Sequence, residues 1–304
     1  MAKLDDSKTK IKSNESRKYF YFAVFVLIVL IASVFAFVAS KTDFSPEIAL
    51  IPIHGEIGID DSADPVEITK LMEKAEKSPS VKAIILDIDS PGGAVVASKQ
   101  IADVVKGAKK PTVALIRDVG ASGALWIATS ADKVVADYSS ITGSIGVSAS
   151  YLSFEKLMEK YGITYNRLVT GDYKDLGTPY RELKPEEKEK LMGQINFIKE
   201  QFVTAVAENR NLSKDFVENL SDGSIWLGYE AKNYGIVDVL GGEKEAKELA
   251  ESLANVTNAK IVRYEREKSI TELLTGSESS FAYWFGKGFG SEFLKVKQNL
   301  AIDA

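Results

Sequence analysis

The sequence predicts a layered α/β domain with an N-terminal transmembrane helix, and three observations carry that prediction. Residues 19–39 contain no charged side chain. From residue 48 onward, short apolar runs alternate with amphipathic helical patterns. Glycine-rich turns stand where the apolar runs end. The alternation is the signature of helices packed on a sheet.

The uncharged stretch comes first. At about 1.5 Å per residue, a helix over 19–39 is long enough for a hydrocarbon core of ~30 Å. Lys3, Lys8, Lys10, Lys12, Arg17 and Lys18 precede it against Asp5, Asp6 and Glu15, whereas only Lys41 and Asp43 follow at once. That asymmetry predicts a single-pass cell-membrane protein with residues 1–18 as a cytoplasmic stub and the C-terminal body external. Tyr19, Phe20 and Tyr21 suit the interfacial belt. A cleaved signal peptide is the competing reading, but its apolar core is usually shorter, about 7–15 residues. Residues 40–47 read as a linker, 48–264 as the globular body and 265–304 as a tail rich in glycine and aromatic residues.

Within the body, Ile48–Ile53, Val81–Ile88, Thr112–Ile116 and Val134–Val135 read as strands. Pro65–Lys77, Val95–Lys106 and Gly123–Ser130 read as helices between or after them. Phe154–Tyr161 precedes a further strand expected near Thr164–Val169. A long amphipathic helix is expected over Pro185–Asn209, with Pro185 in its first turn and Glu186, Glu187 and Glu189 near its positive end. Tyr229–Asn233, Ile236–Val239, Glu243–Ser252 and Lys260–Tyr264 complete the helix–strand rhythm.

Composition narrows the chemistry. The chain of 304 residues has no cysteine and one histidine, His54. Thiol nucleophiles, disulfides and thiolate-bound metals are therefore excluded, and no multi-histidine metal site can form. No cofactor or metal is expected. The net charge of −5 offers no basic footprint for nucleic acid.

Three glycine clusters are the candidates for chemistry. Asp89-Ser90-Pro91-Gly92-Gly93 follows a strand and precedes a helix, so its amides suit an anion or a developing oxyanion. It lacks both phosphate-loop signatures, and a plain tight turn also accounts for it. Gly120-Ala121-Ser122-Gly123 places a serine at a strand-to-helix turn with the mechanics of a nucleophile elbow. The competing role for Ser122 is an N-cap. Thr142-Gly143-Ser144-Ile145-Gly146 is a third glycine-bracketed hydroxyl, readable by itself as a turn.

A serine nucleophile needs a base. His54 sits at a strand end, where packing is its simpler role. A lysine serves if burial keeps it neutral, which requires lowering its pKa from about 10.4 to about 7–8. Spacing alone selects no particular lysine.

Taken in series, Asp87-Ile88-Asp89-Ser90-Pro91-Gly92-Gly93, Ala121-Ser122-Gly123, Thr142-Gly143-Ser144-Ile145-Gly146-Val147 and Gly171-Asp172-Tyr173-Lys174-Asp175 resemble the signal peptide peptidase A family. The resemblance spans roughly residues 47–262. It implies a membrane-anchored serine protease of Clp protease/crotonase-like fold. Ser122 then corresponds to the nucleophile, Lys174 to the general base and Ser144 to the hydroxyl that positions the lysine. Gly92, Gly93 and Gly123 correspond to the oxyanion hole. The resemblance further implies a ring-shaped homo-oligomer with sites at protomer interfaces, and peptide substrates, above all signal-peptide remnants. Asp175 would raise the pKa of Lys174 if its carboxylate stayed close, so the two side chains are expected to diverge. Two other classes stay open on sequence grounds: a crotonase-fold acyl-CoA enzyme and an inactive membrane scaffold.

Overall fold

The computed structural model describes residues 21, 24–33, 45–58 and 63–265. The chain divides between Ser45 and Pro46. In the N-terminal unit, residues 24–33 are helical and exposed. Among the described residues no helix is long and apolar enough to cross a membrane. Residues 19, 20, 22, 23 and 34–39 of the span expected over 19–39 lie outside the described residues, as do the stub 1–18 and the tail beyond Glu265.

The second unit is built on one sheet. Its parallel strands β1 (Glu47–His54), β2 (Val81–Ser90) and β3 (Thr112–Ala121) pair in the order β3-β2-β1, and β8 (Lys260–Arg263) closes the far edge beside β1. These strands read as continuous apolar runs because both faces are covered. Ile51 and Ile53 of β1 face one core, with helices α1 (Pro65–Lys77), α2 (Val95–Lys106) and α3 (Gly123–Thr129). Ile48 and Leu50 face the other, with α8 (Glu243–Leu253). Each isoleucine or leucine so buried contributes about 1.5–3 kcal/mol.

Helix α1 starts where the sequence says. The Asp64 carboxylate accepts the Val66 N–H at 2.8 Å, and Pro65 occupies the first turn.

Strand β3 forks. Its first half, Val113–Ile116, pairs with β4 (Lys133–Ala136), which pairs in turn with β7 (Val239–Leu240). Its last residues, Val119–Ala121, pair instead with β5 (Ile141–Gly143), and β5 pairs antiparallel with β6 (Ile225–Leu227). The change of partner coincides with a register irregularity: Ile88 faces Ile116, but Ser90 faces Gly120. The extra residues bend the strand end toward a new neighbour. Gly120 is required there, since a Cβ would stand 2.7 Å from the Ile116 side chain.

Beyond β5 the expectations are met in part. Helices α4 (Glu155–Lys160), α5 (Pro185–Arg210), α6 (Lys214–Asn219), α7 (Gly228–Asn233) and α8 form. The strand expected near Thr164–Val169 does not; residues 163–169 hold no regular structure, and Leu168 is 95% exposed. A strand needs a hydrogen-bonded neighbour, and no other strand lies beside this segment. The apolar packing of α5 is confined to its C-terminal half, through Phe202, Val203, Val206 and Ala207, with Phe202 stacked on Trp126 of α3 at 4.8 Å. Met192 and Phe197 of its first half are exposed.

Candidate active site

The three glycine clusters converge because they end three neighbouring strands. Ser90 of β2 faces Gly120 of β3, and Ala121 of β3 faces Gly143 of β5. The carboxyl ends of parallel strands are where α/β folds place their chemistry. Ser122 and Ser144 each follow the last residue of adjacent strands, and the Ser122 N–H donates to the Gly143 carbonyl at 2.9 Å. Thr142 Oγ1 reinforces that seam by donating to the Gly120 carbonyl at 2.6 Å.

Ser122 holds an unusual backbone, with φ 54° and ψ −122°. Few non-glycine residues adopt positive φ, and the Cβ strain is of order 1–3 kcal/mol. Its hydroxyl does not cap α3, so the N-cap reading fails. Among the described residues its side chain makes no hydrogen bond, at the head of a wholly buried helix. Ser144 shares the positive φ, at 55°, and its N–H donates to the Ser224 carbonyl at 2.7 Å. Gly143 before it cannot carry a side chain, because a Cβ would meet Ser224 O at 2.8 Å and the Trp226 ring at 2.9 Å.

The turn after β2 presses against Ser122. A Cβ on Gly92, whose φ is +98°, would lie 2.7 Å from Gly123 N and 2.9 Å from the Ser122 Cβ. Ile57 fixes the turn from its other side: its N–H donates to the Gly92 carbonyl and its carbonyl accepts the Ala94 N–H, both at 2.9 Å. That pairing leaves the Gly93 N–H without an acceptor among the described residues. The Gly92 N–H, in contrast, donates to the buried Ser90 Oγ at 3.1 Å. Gly123 supplies a second unused amide, because the first N–H groups of a helix have no intrahelical acceptor. Of the three glycines singled out in the sequence, Gly93 and Gly123 thus present free donors beside Ser122, and Gly92 provides the close approach. Ser90 and Ile57 were not singled out, although Ser90 lies inside the first motif.

His54 is remote from this chemistry. Alternation along β1 puts it on the face of Ile48 and Leu50, opposite α3. Its Nε2 lies 3.3 Å from Asp87 Oδ2 in a cluster with Arg117 and Arg263. Burial alone would raise the Asp87 carboxyl, but His54 and Arg117 outweigh it and hold it below its ordinary value. Asp89 goes the other way, raised mainly by burial against the one backbone N–H it accepts, from Val119. A cavity of about 240 Å³ near Arg117, Asp137, Ser140 and Gly242 includes none of the predicted site residues.

Lys174 lies in a turn-rich segment between α4 and α5, exposed and with no hydrogen bond or ion pair to its ammonium among the described residues. Asp175 does diverge from it: Arg167 and Arg181 both grip its carboxylate. The same segment exposes Tyr161, Ile163 and Leu168. Among the described residues no group of acidic or histidine side chains is arranged to hold a metal ion.

Comparison with known proteins places the chain among serine peptidases. The profile of peptidase family S49 matches residues 105–257, and that of the ClpP-like SDH-type serine proteinases matches residues 42–159. A Methanocaldococcus jannaschii protein named as a candidate protease is 41% identical over 222 residues, covering 72% of this chain and 71% of that one. Another, from Synechocystis, is 36% identical over 243 residues, covering 79% and 86%. A candidate signal peptide peptidase of Enterococcus faecium is 31% identical over 218 residues, covering 71% and 61%.

Proposed function

The chain belongs to peptidase family S49 and is a serine protease, and we propose that it cleaves peptides with a Ser122–Lys174 dyad completed between protomers of a ring-shaped homo-oligomer. One observation carries the reading. Ser122 combines a strained backbone and a hydroxyl that makes no cap with a place beside the amides of Gly93 and Gly123.

The steps follow from that geometry. Neutral Lys174 removes the Ser122 proton as Oγ attacks the scissile carbonyl. The carbonyl oxygen, now an oxyanion, accepts hydrogen bonds from Gly93 N–H and Gly123 N–H, and such a donor is worth about 100-fold or more in rate. Lys174, now protonated, gives its proton to the leaving amine, and water then releases the acyl group by the reverse sequence. Ser144, just past the end of the strand that neighbours β3, orients the lysine. Partial loss of turnover in Ser144→Ala is expected. The acyl-CoA and inactive-scaffold readings have no support from the family.

Assembly accounts for the position of Lys174. Its ammonium has no partner among the described residues, and it shares a segment with exposed apolar side chains that a second copy would cover. Anchoring by residues 19–39 would hold the external body beside the membrane, where signal-peptide remnants lie. The Enterococcus relative's name points to the same substrate class.

The test is covalent labelling. A fluorophosphonate should modify Ser122 in the full-length protein and leave Ser122→Ala unmodified. Labelling that persists at another serine would remove Ser122 as the nucleophile.

A further inference from the structure

An acidic side chain next to a lysine base is a hazard, because a nearby carboxylate stabilises the protonated ammonium. The structure shows how this chain disposes of Asp175. Arg167 donates from Nε and Nη2 to its two oxygens, both at 2.8 Å. Arg181 donates to the same two oxygens from Nε at 3.1 Å and Nη2 at 3.0 Å. The carboxylate is saturated by two guanidinium groups, and nothing of it is left for Lys174.

The network continues on both sides of the lysine. Arg167 also donates from Nη2 to the Asp172 carbonyl at 3.0 Å, tying down the residues before Lys174. Arg181 turns its other edge to Glu187, with two bonds of 2.7 Å. Glu187 accepts the Lys184 N–H at 2.9 Å and so secures the start of α5. This is not a loose surface pair of the kind that contributes little. The Arg181, Asp175 and Glu187 side chains are only 12%, 11% and 2% exposed. On α5, the Lys190 ammonium stands over the Tyr173 ring at 4.9 Å.

We propose that Arg167, Asp175, Arg181 and Glu187 form a clamp that positions Lys174, turning its acidic neighbour away and fixing its turn to the first turn of α5. The clamp rests on the reading of Lys174 as the general base. These four are positioning residues, acting through the lysine. Their side-chain charges cancel, so the clamp adds rigidity near the base without adding a field of one sign.

The test compares turnover and its pH profile in the full-length assembled protein. Arg167→Gln frees half of the Asp175 carboxylate. It should lower kcat about 10- to 100-fold with KM little changed, since a misplacement of about 1 Å costs that much. It should also move the acidic limb of the profile up by about one pH unit or more, because the freed carboxylate favours protonated lysine. The double variant Arg167→Gln/Asp175→Asn should return the limb to its wild-type position while kcat stays low. A purely structural role predicts a lower melting temperature with the limb unmoved in both. Asp175→Asn alone, the mildest change, should also lower kcat; wild-type kcat and profile in Asp175→Asn and Arg167→Gln would overturn the clamp. Lys174→Ala separates the two claims, because full turnover in that variant would instead overturn the base itself.

Discussion

Replacing Ser122 by glycine should stabilise the protein while abolishing its activity. The backbone at Ser122 has φ 54° and ψ −122°. Glycine adopts that region without the Cβ penalty, which is of order 1–3 kcal/mol for other residues. Against this stands the extra freedom of glycine in the unfolded chain, about 0.4–1 kcal/mol. At the midpoints of the two ranges the net gain is about 1.3 kcal/mol, or roughly 3–5 °C in melting temperature for a domain of this size. Ser122→Ala is the matched control. It removes the same hydroxyl, which makes no hydrogen bond among the described residues, and keeps the strained backbone. Thermal unfolding of the two variants in parallel, followed by circular dichroism, isolates the backbone contribution. Both should fail to react with a fluorophosphonate. If Ser122→Gly melts at or below Ser122→Ala, the strain assigned to the nucleophile turn is absent and the elbow argument fails.

Two further perturbations address the turn and the clamp. Gly93→Ala would drive a Cβ to 2.6 Å from Ile57 N and closer still to Ile57 O. Its expected cost is about 1–3 kcal/mol of stability, from overpacking and loss of the Ile57 pairing, with at least about 100-fold in kcat. Near-wild-type turnover would show that the close Ile57 contact at Gly93 does not hold the amide in a catalytic position. The Glu187 carboxyl is held down to about 2, first by Arg181 and then by the Lys184 N–H. Asp175 is likewise held well below the usual range by Arg167 and Arg181. Lowered carboxyl values stabilise the folded state above the unfolded pKa, and that contribution is lost as pH falls through the folded value. The stability difference between wild type and Glu187→Gln in denaturant melts should hence be constant from pH 5 to 8 and shrink between about pH 4.5 and 2. A difference that vanishes already at pH 5 would contradict the ion pairing.

Much of this structure was legible because local signals and burial agreed. Helix α1 runs from Pro65 to Lys77 as its pattern and cap demand. Strands β1, β2 and β3 are apolar because both faces are covered. Ser122, Ser144 and the glycine turns were visible because unusual backbone requires glycine nearby. Thr164–Val169 misled because its β-branched and apolar composition promises a strand, but no neighbouring strand completes it. Strands β5 and β6 span three residues each, too few for alternation to reveal. Arg167 and Arg181 looked like ordinary surface charges, since their significance depends on which carboxylate they reach in space.

Division of the dyad between chains can be measured by mixing two inactive variants. Ser122→Ala and Lys174→Ala each lack one half of every site in their own assemblies. Co-assembled in equal amounts, they should regain activity at about one quarter of the protomer interfaces, where an intact Ser122 meets an intact Lys174 from the neighbour. No recovery in mixed assemblies verified to contain both chains would contradict a site shared between protomers.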